Sequence, residues 1–284
     1  MNPFDAPALA TLTRSYPEQP VLLDHGLVGH ELLTLEALAG LAARMRAADV
    51  EYNRGDLPVG VDPSQTPANG LSIEETIRRI EDCGSWMVLK SIEQDEPYRT
   101  LLHDMLAAVE PAVHEATGAM LKREGFIFIS SPGAVTPFHF DPEHNILVQI
   151  RGGKTMTIFP PDDEELVSGA EHERFHAGGH RNLPWQEAFA ARGKPFQLTP
   201  GKAVYVPVKA PHWVQNGPKV SISLSITWRS QWSYREESAR RWNQLLRGAG
   251  VQPRAPRRWP HQNHAKALGF KLVDKAGIAR SRTP

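Results

Sequence analysis

Residues 136–154, T-P-F-H-F-D-P-E-H-N-I-L-V-Q-I-R-G-G-K, constrain the chain more than any other stretch. Aromatic and β-branched residues fill much of it and favour extended backbone, and Gly152-Gly153 marks a tight turn near its end. Successive side chains of a strand alternate between faces, so His139 and Asp141, two residues apart, converge on one side. Far downstream, A-P-H-W-V places His212 just before another strand-like run. Two imidazoles and one carboxylate on one octahedral face leave three positions open, the ligand set of non-haem Fe(II) sites.

The rest of the chain sets helices before this stretch and strands around it. Residues 1–19 are polar and punctuated by proline, which predicts a lead-in with little fixed structure. Residues 20–24 read as a short strand. Thr34 caps a helix to Met45, with Leu38, Leu41 and Met45 on one face. Gly, Pro and Asp make residues 52–70 a loop. Ser72 and Glu75 form a capping box, opening a helix that ends near Gly84. A strand over 86–90 precedes a long helix, about 97–122, whose buried stripe is Leu101, Leu102, Met105, Val109 and Val113. Strands then follow at 126–130, 145–150, 154–159, 203–206 and 220–228. Residues 161–195 read as a polar insertion, 232–247 as a helix, and the tail holds a short helix near 262–268. Strands this closely spaced leave no room for βαβ crossovers. The pattern predicts an α+β fold with an antiparallel barrel or jelly roll. The expected divisions are a mostly helical region (1–125), a barrel core (126–230), and a C-terminal helix with a basic tail (231–284).

Thr136 lies three residues before His139, Asn145 six after it, and Lys154 fifteen after it, followed by T-M-T-I-F-P-P. The segment around His212 reads T-P-G-K-A-V-Y-V-P-V-K-A-P-H-W-V-Q-N. Together these stretches resemble the JmjC-type, cupin-fold 2-oxoglutarate oxygenases, especially the branch of the asparaginyl hydroxylase called factor-inhibiting HIF. The close resemblance covers roughly residues 126–228. It implies a double-stranded β-helix with His139, Asp141 and His212 holding Fe(II). The keto and C1 carboxylate oxygens of 2-oxoglutarate would take two open positions and O2 the third. Lys154 and Thr136 match the positions that hold the cosubstrate's far carboxylate; a buried ammonium needs a counter-charge, and a dicarboxylate supplies one.

Asn145 shares parity with Asp141 if the strand is unbroken. The resemblance implies that it bonds the cosubstrate or orients a ligand; otherwise it caps a turn after Pro142. Fifteen residues after His212, where the family can place an amide, this chain has Thr227, kept as a cosubstrate-site candidate. The implied activity hydroxylates a protein or peptide side chain and decarboxylates 2-oxoglutarate to succinate and CO2. A small molecule is the other substrate class, and demethylation the other outcome. The competing class is a non-catalytic cupin that binds a metal or ligand as a regulator, which would not need Lys154 and Thr136.

His144 has the opposite parity to Asn145 and should face away. His172, His176 and His180, four apart, would stripe a helix, but Gly178-Gly179 predicts a solvated insertion instead. Trp86, Trp213 and Trp228 either line a pocket or pack the core.

Formal net charge is zero, so the whole molecule makes no case for nucleic acid or a membrane. From Arg229 onward there are 13 basic and 3 acidic residues, against 19 and 29 before it. With no nucleic-acid motif, this tail is expected to pack along the acidic body. Residues 232–246 offer Trp242, Leu245 and Leu246 as a homodimer face, as in related hydroxylases, or as packing on their own barrel. The single cysteine, Cys83, rules out an internal disulfide, which suits a reducing cytoplasm. No run reaches the length of a membrane helix, and M-N-P-F-D-A-P lacks a signal-peptide pattern.

Overall fold

Caps written in the sequence start most of the helices in the computed structural model, which describes residues 3–55, 59 and 69–277. Asp5 accepts from the Ala8 N–H and opens α1 (Ala6–Ser15). Phe4, Ala8 and Leu12 are buried, so the expected loose lead-in is instead a docked helix. Its apolar stripe is about one residue per turn wide, too thin to stand out among polar neighbours. β1 (Val21–Asp24) follows, then α2 (Leu35–Arg44), capped by Thr34, and β2 (Val50–Arg54). The loop expected over 52–70 thus begins inside a strand; residues 56–58 and 60–68 lie outside the described residues. Ser72 and Glu75 complete the capping box of α3 (Ile73–Arg78), which leads to β3 (Ser85–Lys90).

In α4 (Glu96–Thr117) the stripe Leu101, Leu102, Met105, Val109 and Val113 is buried as expected. Pro111 sits inside this helix. A helix-interior proline costs about 3 kcal/mol. Burying the stripe contributes about 1.5–3 kcal/mol per side chain, so packing wins.

The remaining elements are β4 (Leu121–Ser130), β5 (Val135–His139), β6 (His144–Arg151), β7 (Lys154–Ile158), α5 (Gly169–His176), β8 (Lys194–Leu198), β9 (Lys202–Val206), β10 (His212–Asn216), β11 (Ser221–Arg229), α6 (Gln231–Gly248) and α7 (His264–Lys275). The polar insertion of 161–195 therefore contains α5 and the start of β8.

Strands run β1-β9-β6-β11-β4-β3-β2 in one sheet and β5-β10-β7-β8 in the other, with antiparallel pairing throughout. The first 125 residues, expected to be mostly helical, supply β1, β2 and β3 to the larger sheet. The inner faces of both sheets enclose Leu147, Met156, Ile158, Phe196, Val204 and Val214. The outer face of the large sheet, with Ile146, Val148 and Ile226, packs under α1, α2 and α4. This two-sheet antiparallel sandwich is the expected double-stranded β-helix.

The basic tail lies on the protein's own body. Arg247 pairs with Glu173 at 2.7 Å and Arg258 with Glu18 at 2.9 Å. Trp242 of α6 packs against α7 at Gly269, so assembly through that face would require α7 to move.

Candidate metal centre

His139 ends β5 and His212 begins β10, and the two are direct partners across the ladder. Asp141 lies just past β5, and its carbonyl accepts from the Lys209 N–H at 2.8 Å. Asp141 Oδ2 is 3.9 Å from His139 Nε2 and 3.6 Å from His212 Nε2. One ligand atom from each of the three lies within 4.8 Å of the others. The turn before His212 is thereby tied to the segment carrying the other two residues.

The far side of each ring fixes its tautomer. His139 Nδ1 is 2.7 Å from the Pro137 carbonyl and His212 Nδ1 is 3.0 Å from the Ala210 carbonyl. A carbonyl only accepts, so each Nδ1 carries the proton and each Nε2 presents a lone pair. Burial lowers both imidazoles, His139 to about 3, keeping them neutral near pH 7. Burial alone would raise the Asp141 carboxyl. The Arg181 charge, with the two histidines, outweighs it and holds the carboxyl below the ordinary range. Arg181 Nη1 donates to Asp141 Oδ1 at 2.6 Å, leaving Oδ2 to the histidines. Two neutral nitrogens and one carboxylate oxygen fit a divalent first-row metal with open positions.

A cleft of about 820 Å³ opens over these residues and is lined by Thr136, His139, Asp141, Asn145 and Thr227, among others. Thr136 and His139 share the inner face although an odd spacing separates them. Thr136 pairs with Val214 and His139 with His212, with a register shift between, so a β-bulge at Pro137-Phe138 restores the parity. Asn145 pairs with Thr227 across β6 and β11. Asn145 Oδ1 accepts from Ser225 Oγ at 2.7 Å, while Thr227 Oγ1 donates to the Glu124 carbonyl at 3.0 Å.

Lys154 does not line the cleft. It is buried on the inner face of β7, paired with Asn216, one row beyond the Thr136–Val214–Met156 row and two beyond His139–His212–Ile158. Two such rows are roughly 13 Å along a strand. No hydrogen bond or ion pair joins its ammonium to a described residue, and burial lowers it to about 7.

His144 points to the opposite face. Tyr205 spends its proton on the Pro17 carbonyl at 3.0 Å and so accepts from His144 Nδ1, also at 3.0 Å. His144 Nε2 then accepts from Ser230 and Tyr16.

The solvated reading of the histidine insertion is corrected. His172 and His176 are buried on α5, against Phe140 and Phe175, and only His180 lies past the Gly-Gly turn, in the cleft lining. Lys209 lies against the same two phenylalanines: its unexposed ammonium sits 4.2 Å from the Phe140 ring centre and 4.5 Å from that of Phe175. Trp86 lines the cleft, Trp228 is core, and Trp213 packs outside the small sheet. Arg181 and Lys209 escaped the sequence reading because each acts on Asp141 or its neighbour from a distant, aperiodic loop.

The cupin-like domain family matches residues 65–234. Jumonji C domain-containing protein 5 of Drosophila melanogaster is 30% identical over 112 residues, 36% of this chain and 26% of that protein. Lysine-specific demethylase JMJ30 of Arabidopsis thaliana is 29% identical over 107 residues, 35% of this chain and 24% of that protein. These alignments span about a quarter of each relative's length. The solved structure of E. coli ycfD superposes with a TM-score of 0.53 at 15% identity, covering 95% of this chain and 68% of that one, a likeness of fold.

Proposed function

From the premise that the chain belongs to the cupin-like domain family, we propose that it is an Fe(II)- and 2-oxoglutarate-dependent dioxygenase. It hydroxylates a protein or peptide side chain and releases succinate and CO2. The convergence of His139, Asp141 and His212 within 4.8 Å carries this reading. Two relatives whose names refer to the Jumonji C domain or to lysine demethylation support the family chemistry.

Bound Fe(II) supplies the O2 activation that is coupled to cosubstrate decarboxylation. The chain's residues do the rest. The Pro137 and Ala210 carbonyls hold both imidazoles in the metal-binding tautomer. Arg181 occupies one oxygen of Asp141, so the carboxylate offers a single ligand atom. Thr136 and Lys154, on the same inner face, receive the far carboxylate of the oxo acid, with Asn145 and Thr227 across the cleft. Leu147, Met156 and Val214 exclude water between them. An unpaired buried ammonium costs several kcal/mol, and a dicarboxylate is the ligand that removes this cost.

The expected stoichiometry is one Fe(II) per chain, measured anaerobically, and His139→Ala or Asp141→Ala should abolish binding. Unchanged stoichiometry in both variants would sink the assignment. Metal binding without 2-oxoglutarate binding in wild type would instead favour a regulatory binding cupin.

A further inference from the structure

A second group of buried polar side chains lies where α5, α6 and the loop 207–211 meet. His172 and His176 sit one turn apart on α5, Glu236 and Arg240 one turn apart on α6, and Lys209 enters from the loop between β9 and β10. None of the five lines the cleft over the metal centre. They share one enclosed space. The Lys209 ammonium lies against the rings of Phe140 and Phe175, and the same two rings lie 4.9 Å from His172 and 5.0 Å from His176, centre to centre. Glu236 closes the far side. Its Oε2 is 3.9 Å from His176 Nε2, and its Oε1 accepts from Arg240 Nε at 2.8 Å.

Four polar atoms of this space, Lys209 Nζ, Arg240 Nη1, His172 Nδ1 and His176 Nε2, are buried with no hydrogen-bond partner among the described residues. Exposure is 0% for Lys209, 2% for His172 and Glu236, 5% for Arg240 and 9% for His176, so bulk water does not serve them. Glu236 balances Arg240, and burial keeps both imidazoles neutral, which leaves the Lys209 charge uncompensated. The nearest other charges are already paired, Arg229 with Glu237 at 2.9 Å and Arg247 with Glu173 at 2.7 Å. Aromatic faces offset part of the ammonium's cost, but they leave its N–H donors unmatched, and unmatched buried donors are costly.

A cation does not fit here. The space is already positive, and the His139, Asp141 and His212 group is the one metal-holding cluster among the described residues. An anion fits on both counts, since it accepts from all four atoms and cancels the excess charge. One excess charge and a closed wall select a compact, singly charged species; a phosphate or sulfate would overshoot the charge.

We infer that this chamber binds one small monoanion of the halide class, held by Lys209, Arg240, His172 and His176. The site does not depend on the oxygenase reading. It adjoins the metal centre through the backbone, because the Lys209 amide also donates to the Asp141 carbonyl.

The test uses the full chain. Thermal unfolding is followed as chloride replaces gluconate at constant ionic strength, and crystals are soaked in bromide and measured at the bromine absorption edge. Chloride should raise Tm by a few degrees, as a ligand that binds only the folded state does, and one anomalous peak should lie between Lys209 Nζ and Arg240 Nη1. Lys209→Met keeps the backbone amide and removes the charge; it should lose both the chloride effect and the peak. His172→Phe, which keeps every charge and removes one donor, should retain a weakened chloride effect. The wild-type measurements decide the matter even if Lys209→Met does not fold. A Tm indifferent to chloride, a chamber holding only water, bromide found at the His139, Asp141 and His212 group instead, or an undiminished chloride effect in folded Lys209→Met overturns the inference.

Discussion

At position 154 a buried amine meets no anion among the described residues, so the ligand that pairs with it should be sensitive to its state. Breaking a buried pair costs roughly 3–5 kcal/mol, which at 1.4 kcal/mol per tenfold is about two to three and a half orders of magnitude. Lys154→Ala should lose that much 2-oxoglutarate affinity in calorimetric titration with a redox-silent metal, and still bind the metal. Lys154→Arg should recover only part, because its planar fork docks differently. Burial holds the free amine at about 7, and the ligand needs the ammonium. Affinity should therefore fall about tenfold per pH unit above 7, with proton uptake on binding. A flat profile from pH 7 to 9 would remove Lys154 from the cosubstrate. The same shift acts on folding with the opposite sense. The unfolded amine stays protonated up to about 10.5, so the unfolded state holds more protons between the two values. The ligand-free protein should thus gain stability as pH rises from 7 towards 10.

The turn from β6 to β7 aims Lys154 inward, and Gly152 makes that turn possible. Its φ is 67°, and a Cβ there would run into the Val220 carbonyl, which is backbone and cannot give way. Gly152→Ala should cost more than the roughly 1–2 kcal/mol of left-handed backbone alone, so Tm should fall by more than about 4 °C in thermal unfolding. Gly29 has a φ of 78° but open space around it, so Gly29→Ala should show only the backbone cost. Equal losses in the two variants would place the constraint in φ rather than in the clash. Strands such as β6, β7 and β11 are legible in the sequence because their apolar and β-branched runs outweigh local alternatives. β5 and β8 are not, since each is only five residues long and contains a proline. The bulge in β5 is also invisible from one strand, because it exists only relative to the register of β10.

Across the whole molecule, a buried polar network fastens the N-terminus to the back of the large sheet. Tyr16 hydrogen-bonds to Thr117 at the end of α4 and to His144 on β6; His144 in turn reaches Tyr205 of β9 and Ser230 at the start of α6. Tyr16→Phe removes the partner of the Thr117 hydroxyl and one of the two donors to His144 Nε2, and should cost about 1–3 kcal/mol. Chemical denaturation should register that loss while the metal dissociation constant stays put, because His144 faces away from the cleft. A matching loss of metal affinity would show that the back of the sheet is coupled to its front. The helices-then-strands order and the two ligand segments were legible because their signals are local. The docking of α1 and α5 was not, since their buried faces are completed by residues far along the chain, such as Thr117 for Tyr16 and Lys209 for Phe175. The hydrogen bond from the Lys209 amide to the Asp141 carbonyl is a long-range bond of the same kind, and it crosses between the two ligand segments. That amide proton can exchange with solvent deuterium only when the two segments part. Its protection is therefore a clock for how often the metal centre comes apart, readable one residue at a time and without any turnover.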